Sequence, residues 1–219
     1  MFSLRKLKRP LFLLCLTFIS FSAFSQSWNL KINKENIKIY TRSIAGSNVE
    51  EVMGEITVKS NMAGVLSLID SVSEYPKWMK NCITSERLKR TSKSSGYTYY
   101  AIKTPWPVTD RDACTYYKVA QDSATKVVTV TVKGMKDYIP EKPSRVRIPS
   151  LDASWKLIPA AKGVTKIVYQ VHCETGGMVP AIIVNAFITD TPYCNLLSLR
   201  RIVESPLYPK IVIDYVKEL

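Results

Sequence analysis

The sequence predicts an α+β domain in which one curved antiparallel β-sheet wraps around a long C-terminal helix. Three observations lead there. Runs with a two-residue apolar period occur at 37–42 and 49–58 and then follow one another between residues 83 and 175. Short polar turns separate most of them, as in an antiparallel meander. Helical spacing is confined to a segment near residues 61–75 and to the stretch from Pro180 onward. A sheet of about eight or nine strands must bury its apolar face, and only those helices can cover it. A strongly curved sheet leaves space above its concave side. Side chains can fill that space, or it can be a cavity.

The first residues read as a targeting segment. Arg5, Lys6, Lys8 and Arg9 precede an apolar run from Leu11 to Phe21, and Ala23-Phe24-Ser25 places small residues before Gln26. This is the layout of a secretory signal peptide over 1–25, cleaved near Ser25-Gln26, with one domain over 26–219. The apolar run is shorter than the roughly 20 residues of an ordinary membrane span. Cys15 follows Leu13-Leu14 rather than the small residues of a lipoprotein processing site. Export is expected, to the periplasm in a Gram-negative source. The formal charge is +13, and loss of those four basic residues leaves +9. Such an excess suits transient contact with anionic lipid head groups, and a merely solvated basic surface is the plainer reading. Nucleic acid is not an expected partner of an exported domain, and a monomer is expected.

Trp28 to Asn36 reads as a short opening helix or turn. Ile37–Arg42 and Val49–Val58 alternate as half-buried strands should, around a Gly46-Ser47-Asn48 turn. Met62, Val65, Leu66, Ile69, Val72 and Tyr75 then recur at helical spacing, with Ser60 or Asn61 as cap and Pro76 as stop. Strand-like runs follow at 83–90, 97–104, 113–120, 127–133, 145–148 leading to 154–158, and 165–175. Pro180 suits the first turn of the last helix, and Thr191-Pro192 restarts it with Thr191 as cap. Leu196, Leu197, Leu199, Ile202 and Val203 continue its apolar stripe.

Several chemistries lack their residues. His172 is the only histidine, and strand alternation turns it away from the apolar side. No Gly-x-Ser-x-Gly elbow, Gly-x-Gly-x-x-Gly or phosphate loop occurs. Cys82, Cys114, Cys173 and Cys194 form no Cys-x-x-Cys or zinc spacing, and Cys173 and Cys194 read as buried free thiols. No cofactor or metal is expected. One segment stands out: Thr104-Pro105-Trp106-Pro107-Val108-Thr109-Asp110-Arg111-Asp112, where two prolines remove ladder donors around a large aromatic. A rigid corner with a buried Trp and a structural ion pair is one reading, and a functional element is the other.

The ordered motifs resemble the START (StAR-related lipid-transfer) family of the helix-grip superfamily across nearly all of residues 26–219. Ile37-Lys38-Ile39-Tyr40-Thr41-Arg42 is similar to the family's opening strand, and Tyr75-Pro76-Lys77-Trp78 to its helix-ending Trp. Pro105-Trp106-Pro107 with Arg111-Asp112 resembles the "PWP.s.RD" pattern. Ser154-Trp155-Lys156-Leu157-Ile158-Pro159 and Gly177-Met178-Val179-Pro180 through Asn185 resemble two later motifs, although Ala181-Ile182 stands where many members carry an aromatic. The resemblance implies an internal hydrophobic cavity for one lipid or other apolar small molecule, gated by the C-terminal helix, in a non-enzymatic binder or carrier. Burying a sixteen-carbon chain is worth roughly 13 kcal/mol, so only near-complete enclosure competes with a bilayer.

On that footing Arg111 and Asp112 either orient a polar head or form a structural bridge, and Trp106 packs a corner or touches ligand. Tyr100, Tyr117 and Tyr169 offer rings for the wall and hydroxyls for the ligand. Ile182, Ile183, Ala186 and Phe187 form the stripe expected to face the sheet, and Met178, with Val179, the hinge before Pro180. Two alternatives stay open: an enzyme of the same superfamily using Asp112, Glu174 or the tyrosines on an apolar substrate, and an envelope ligand-sensing module.

Overall fold

The computed structural model describes residues 27–219. The signal peptide expected over 1–25 and its cleavage point lie outside them. Ten strands form one sheet: β1 (Asn29–Lys34), β2 (Ile37–Arg42), β3 (Glu51–Val58), β4 (Cys82–Ser92), β5 (Ser95–Ile102), β6 (Arg111–Gln121), β7 (Val128–Gly134), β8 (Val146–Arg147), β9 (Ser150–Ala161) and β10 (Val164–Glu174). Their spatial order is β1-β2-β3-β10-β9-β7-β6-β5-β4, with antiparallel pairing between neighbours, while β8 lies parallel to β6. The helices are α1 (Met62–Asp70), α2 (Tyr75–Trp78), α3 (Ala181–Phe187) and α4 (Asp190–Val203). None among the described residues is long and apolar enough to cross a membrane.

Three expected elements come out differently. The opening segment is a strand, not a helix or turn. Leu30 and Ile32 alternate with polar residues, and Glu35-Asn36 reverse the chain at φ 53° and 58°. Two adjacent positive φ values are what a two-residue type I′ hairpin needs. The helix expected to run to Tyr75 stops at Asp70; a 3₁₀ turn over Val72–Glu74 leads into α2. Pro76 explains the interruption, because its ring clashes with a preceding helical turn yet fits the first turn of a new one. The C-terminal helix is two pieces broken at Ile188-Thr189, and α4 starts at Asp190 rather than beyond Thr191.

The core lies between the concave sheet face and the helices α1 and α4. Ile37, Ile39, Val52, Ile56, Val128, Leu157 and Ile167 from the sheet meet Met62, Val65, Leu66, Leu196 and Leu199 from the helices, all buried. Each such side chain contributes roughly 1.5–3 kcal/mol. Gly54 sets how closely α4 can lie on β3: a Cβ there would come within 2.6 Å of Leu196 Cδ1.

Beyond α4 the chain returns as a strap over α1. The Glu218 carboxylate accepts from Met62 N (3.2 Å) and Ala63 N (2.8 Å), placing negative charge at the positive end of α1. Asn61 caps the same end, its Oδ1 accepting from Gly64 N at 3.0 Å while its Nδ2 donates to Ile211 O. The Tyr208 hydroxyl donates to Gly64 O, and Lys217 N to Gln121 Oε1.

Candidate functional site

Strand pairing puts Tyr100, Tyr117 and Tyr169 on the same concave face. Tyr100 stands opposite Ala113, Tyr117 opposite Val132, Val132 opposite Ala153, and Trp155 opposite Tyr169. Around them an aromatic arc crosses the sheet and α2. Tyr100 meets Tyr75 edge-on at 6.3 Å between ring centroids, Tyr75 meets Trp78 at 5.7 Å, and Trp78 meets Trp155 at 6.3 Å. Trp155 stacks on Tyr169 at 4.0 Å. The buried indole N–H of Trp78 has no acceptor among the described residues.

The deep end of this face is closed by α1. There a cavity of about 40 Å³ lies among Leu66, Ile69, Tyr75, Tyr117, Val130 and Trp155. Behind α4 the space is filled by Leu196 and Leu199. Among the described residues, this void lies under α1 and not behind the last helix, where the tunnel was expected.

Sequence reasoning missed the void's charged corner. Asp70, from the end of α1, lines it, and Arg87 of β4 donates to Asp70 Oδ1 (3.2 Å), to Asp70 O and to the Tyr117 hydroxyl. Burial, then the Asp70 charge, raises the Tyr117 phenol to about 12. Asp70 sat inside the helix expected to run to Tyr75, and Arg87 in the strand-like run 83–90. A signal existed in Arg87 and Tyr117, which lie on the two strands flanking β5, Arg87 opposite Thr98 and Tyr117 opposite Gly96.

Toward the other end the face stays open. Tyr100, Val132, Ala153, Tyr169, Val171 and Cys173 are only partly buried although they lie on the inner side. Burial nonetheless holds the Tyr100 and Tyr169 phenols well above their ordinary value and pushes the Cys173 thiol up to about 12. Over this region hangs α3, which has no buried residue. It is tied to the β2–β3 loop by Asn185, which donates to Asn48 O (2.9 Å) and accepts from Glu50 N (3.0 Å).

The link from β10 to α3 runs through Gly176 and Gly177, at φ +67° and +69°. Both lie in left-handed backbone that glycine adopts at little cost. Arg111 clamps this link: its guanidinium donates to Thr175 O (3.4 Å), Gly176 O (3.2 Å) and Thr109 O. Burial lowers the Arg111 pKa from its usual value.

No family model matches the chain. An uncharacterized protein of Pseudomonas aeruginosa is 33% identical over 183 residues, 84% of this chain and 90% of that one. The crystal structure of a STAR-related lipid transfer protein from Xanthomonas axonopodis is 31% identical and superposes with a TM-score of 0.76, covering 81% of this chain and 99% of the other. The chain belongs to the START family. Human StAR-related lipid transfer protein 5, at 15% identity and a TM-score of 0.73 over 81% of this chain and 86% of its own, shares the fold.

Within this START domain the proline-rich segment is not the corner with a buried Trp and a paired Arg111 and Asp112 that one reading expected. Trp106 is 92% exposed rather than packed in a corner. Arg111 and Asp112 do not pair, because adjacent strand residues point to opposite faces. Asp112 is turned to the convex side, where its carboxylate accepts from Arg147 Nε (2.7 Å) and Nη2 (3.3 Å) and from the Tyr99 hydroxyl (3.0 Å). Neither side chain of that pair is more than 2% exposed, so Asp112 cannot meet a ligand on the concave face. The expected α3 stripe is corrected as well. Ile182, Ile183, Ala186 and Phe187 are exposed, and the helix turns Ala181, Val184, Asn185 and Ile188 to the body instead. Met178 is fully exposed beside them.

Cys82, Cys114, Cys173 and Cys194 are free thiols in the START domain, though Cys173 and Cys194 are half-buried rather than buried. His172 lies on the convex side, its Nε2 3.2 Å from Ser47 Oγ and 3.5 Å from Glu174 Oε1. Serine and carboxylate address the same ring nitrogen, so the carboxylate does not orient the imidazole as a base toward Ser47 in the manner of a hydrolytic triad.

Proposed function

We propose that the domain binds a single lipid or other hydrophobic small molecule on the concave face, without catalysing its reaction, and exchanges it at a membrane surface. One observation carries this reading. An aromatic and aliphatic inner face remains partly accessible at the end where α3, which has no fully buried residue, is tied to the β2–β3 loop, so a guest can lie between them. The lipid-transfer name of the Xanthomonas relative supports the class of ligand.

The enclosed void of about 40 Å³ is far below the 300 Å³ or more of a usual ligand pocket, so the guest enters from the α3 end. Rotation about Gly176-Gly177 moves α3 over the guest, and the Asp70–Arg87–Tyr117 corner receives a polar head that reaches the deep end. Exposed Trp106, Met178, Ile182 and Phe187 supply apolar side chains for the bilayer interface, and the basic excess favours anionic lipid. With residues 1–25 acting as a secretory signal, the domain works outside the cytoplasm, in the periplasm or secreted.

Native mass spectrometry of the purified protein, before and after incubation with vesicles of its own membrane lipids, tests the reading. A retained or acquired apolar adduct of one-to-one stoichiometry is expected. Protein that neither retains nor exchanges any apolar molecule refutes it.

A further inference from the structure

A second recess lies at the far end of the sheet from the α3 hinge, with the eleven residues of β6, roughly 35 Å, between them. Its volume is about 400 Å³, and it is open to solvent on one side. Val119, Val128, Tyr215 and Val216 line it with apolar side chains, and the basic residues Lys93, Lys126 and Lys217 line it beside them. Two carboxylates lie nearby. Asp214 is 3.8 Å from Lys93 Nζ, both highly exposed. Asp122 is occupied by its own turn, accepting from Ala124 N (3.1 Å), Thr125 N (2.6 Å) and the Thr125 hydroxyl (2.8 Å). Lys126 also donates to Ser123 O at 2.6 Å. The balance remains positive.

We infer that this recess binds an amphiphile with one alkyl chain and an anionic head group. A neutral apolar ligand would leave Lys126 and Lys217, which pair with no carboxylate among the described residues, without a countercharge. A bare anion would leave half-buried Tyr215 and Val216 without an apolar partner, whereas an alkyl chain laid on them is taken out of water. The volume falls within the range of small-molecule sites. The site is built rather than incidental, because one wall belongs to the C-terminal strap. Gln121 holds that wall: its Nε2 donates to Lys217 O (2.7 Å) and its Oε1 accepts from Lys217 N (2.8 Å). The next residue, Glu218, caps α1. The inference is independent of ligand binding on the concave face.

Backbone amide NMR of the purified protein, titrated at low salt with decyl phosphate, decanol and inorganic phosphate in turn, tests it. Decyl phosphate should shift the amides of Lys93, Ser94, Gln121 and Tyr215–Lys217 to saturation, whereas decanol and inorganic phosphate should not saturate them. Lys126→Gln and Lys217→Gln should each weaken binding by roughly two- to fivefold, and added salt should weaken it further. Three results overturn the inference: unmoved amides in this group, saturation by decanol at the same affinity, or saturation by inorganic phosphate at the same affinity. Decyl phosphate that moves only Tyr169 and α3 also overturns it, while leaving the concave-face reading intact.

Discussion

Replacing Asp112 by Asn tests whether this motif residue is structural. The substitution keeps size and shape but removes the countercharge of a guanidinium that is 2% exposed. Asp112 accepts three hydrogen bonds, from Arg147 Nε, Arg147 Nη2 and the Tyr99 hydroxyl. An amide offers one oxygen for them and turns an NH₂ toward the remaining donor. Arg147 keeps its carbonyl partners at Lys136 (2.6 Å), Ile139 (3.1 Å) and Pro140 (3.2 Å), so it stays buried as a cation without its anion. Breaking one side of a buried pair costs about 3–5 kcal/mol, and the surviving carbonyls place Asp112→Asn near the lower end. For a domain of this size about 3 kcal/mol lowers Tm by roughly 6–12 °C. Urea and thermal unfolding followed by circular dichroism measure it. Asp112→Leu with Arg147→Met, which removes both charges, should recover most of the loss. A loss below about 1 kcal/mol in Asp112→Asn, or a double variant no better than the single, refutes the reasoning.

Gly54→Val should cost about 1–3 kcal/mol through overpacking against Leu196, and Leu196→Ala should offset part of that in a double-mutant cycle followed by urea unfolding. Stability should fall as pH rises above about 10, because the unfolded chain releases phenol protons that burial makes Tyr75, Tyr100 and Tyr169 retain when folded. Each such proton adds a slope of about 1.4 kcal/mol per pH unit, and Tyr169→Phe should flatten the Tm-against-pH curve. Cys114 and Cys173, whose thiols burial holds above their ordinary value, should resist a thiol reagent at pH 8 until urea is added. Glu218→Gln should lower stability by about 0.3–1 kcal/mol and speed amide hydrogen exchange at Met62 and Ala63.

What the sequence disclosed followed its periodicities. Strands such as β2, β3 and β7 alternate plainly, and α4 buries Leu196, Leu199 and Val203 at helical spacing. β1 escaped because Glu35-Asn36 lacks the glycine that advertises most two-residue turns. The helix past residue 70 misled because Val72 and Tyr75 continue the apolar period while Pro76 breaks the backbone behind them. In the site, the facing of Tyr100 and Tyr117 was ambiguous from alternation alone, since β6 is buried on both sides along most of its length. Ladder partners resolve it. Asp112 and Arg147 lie 35 residues apart, and the strap reaches α1 from more than 150 residues away, so no local pattern could join them.

The sheet order carries a consequence for how this chain assembles. β3 and β10 are neighbours, yet Val52 and its partner Val171 are separated in sequence by the whole intervening meander. Until β10 arrives, the β1–β3 meander and the β4–β9 section each present a bare ladder edge, and unpaired backbone of that kind recruits other strands. Closing so wide a contour is slow, which makes the last third of the polypeptide the step that decides between native closure and intermolecular pairing.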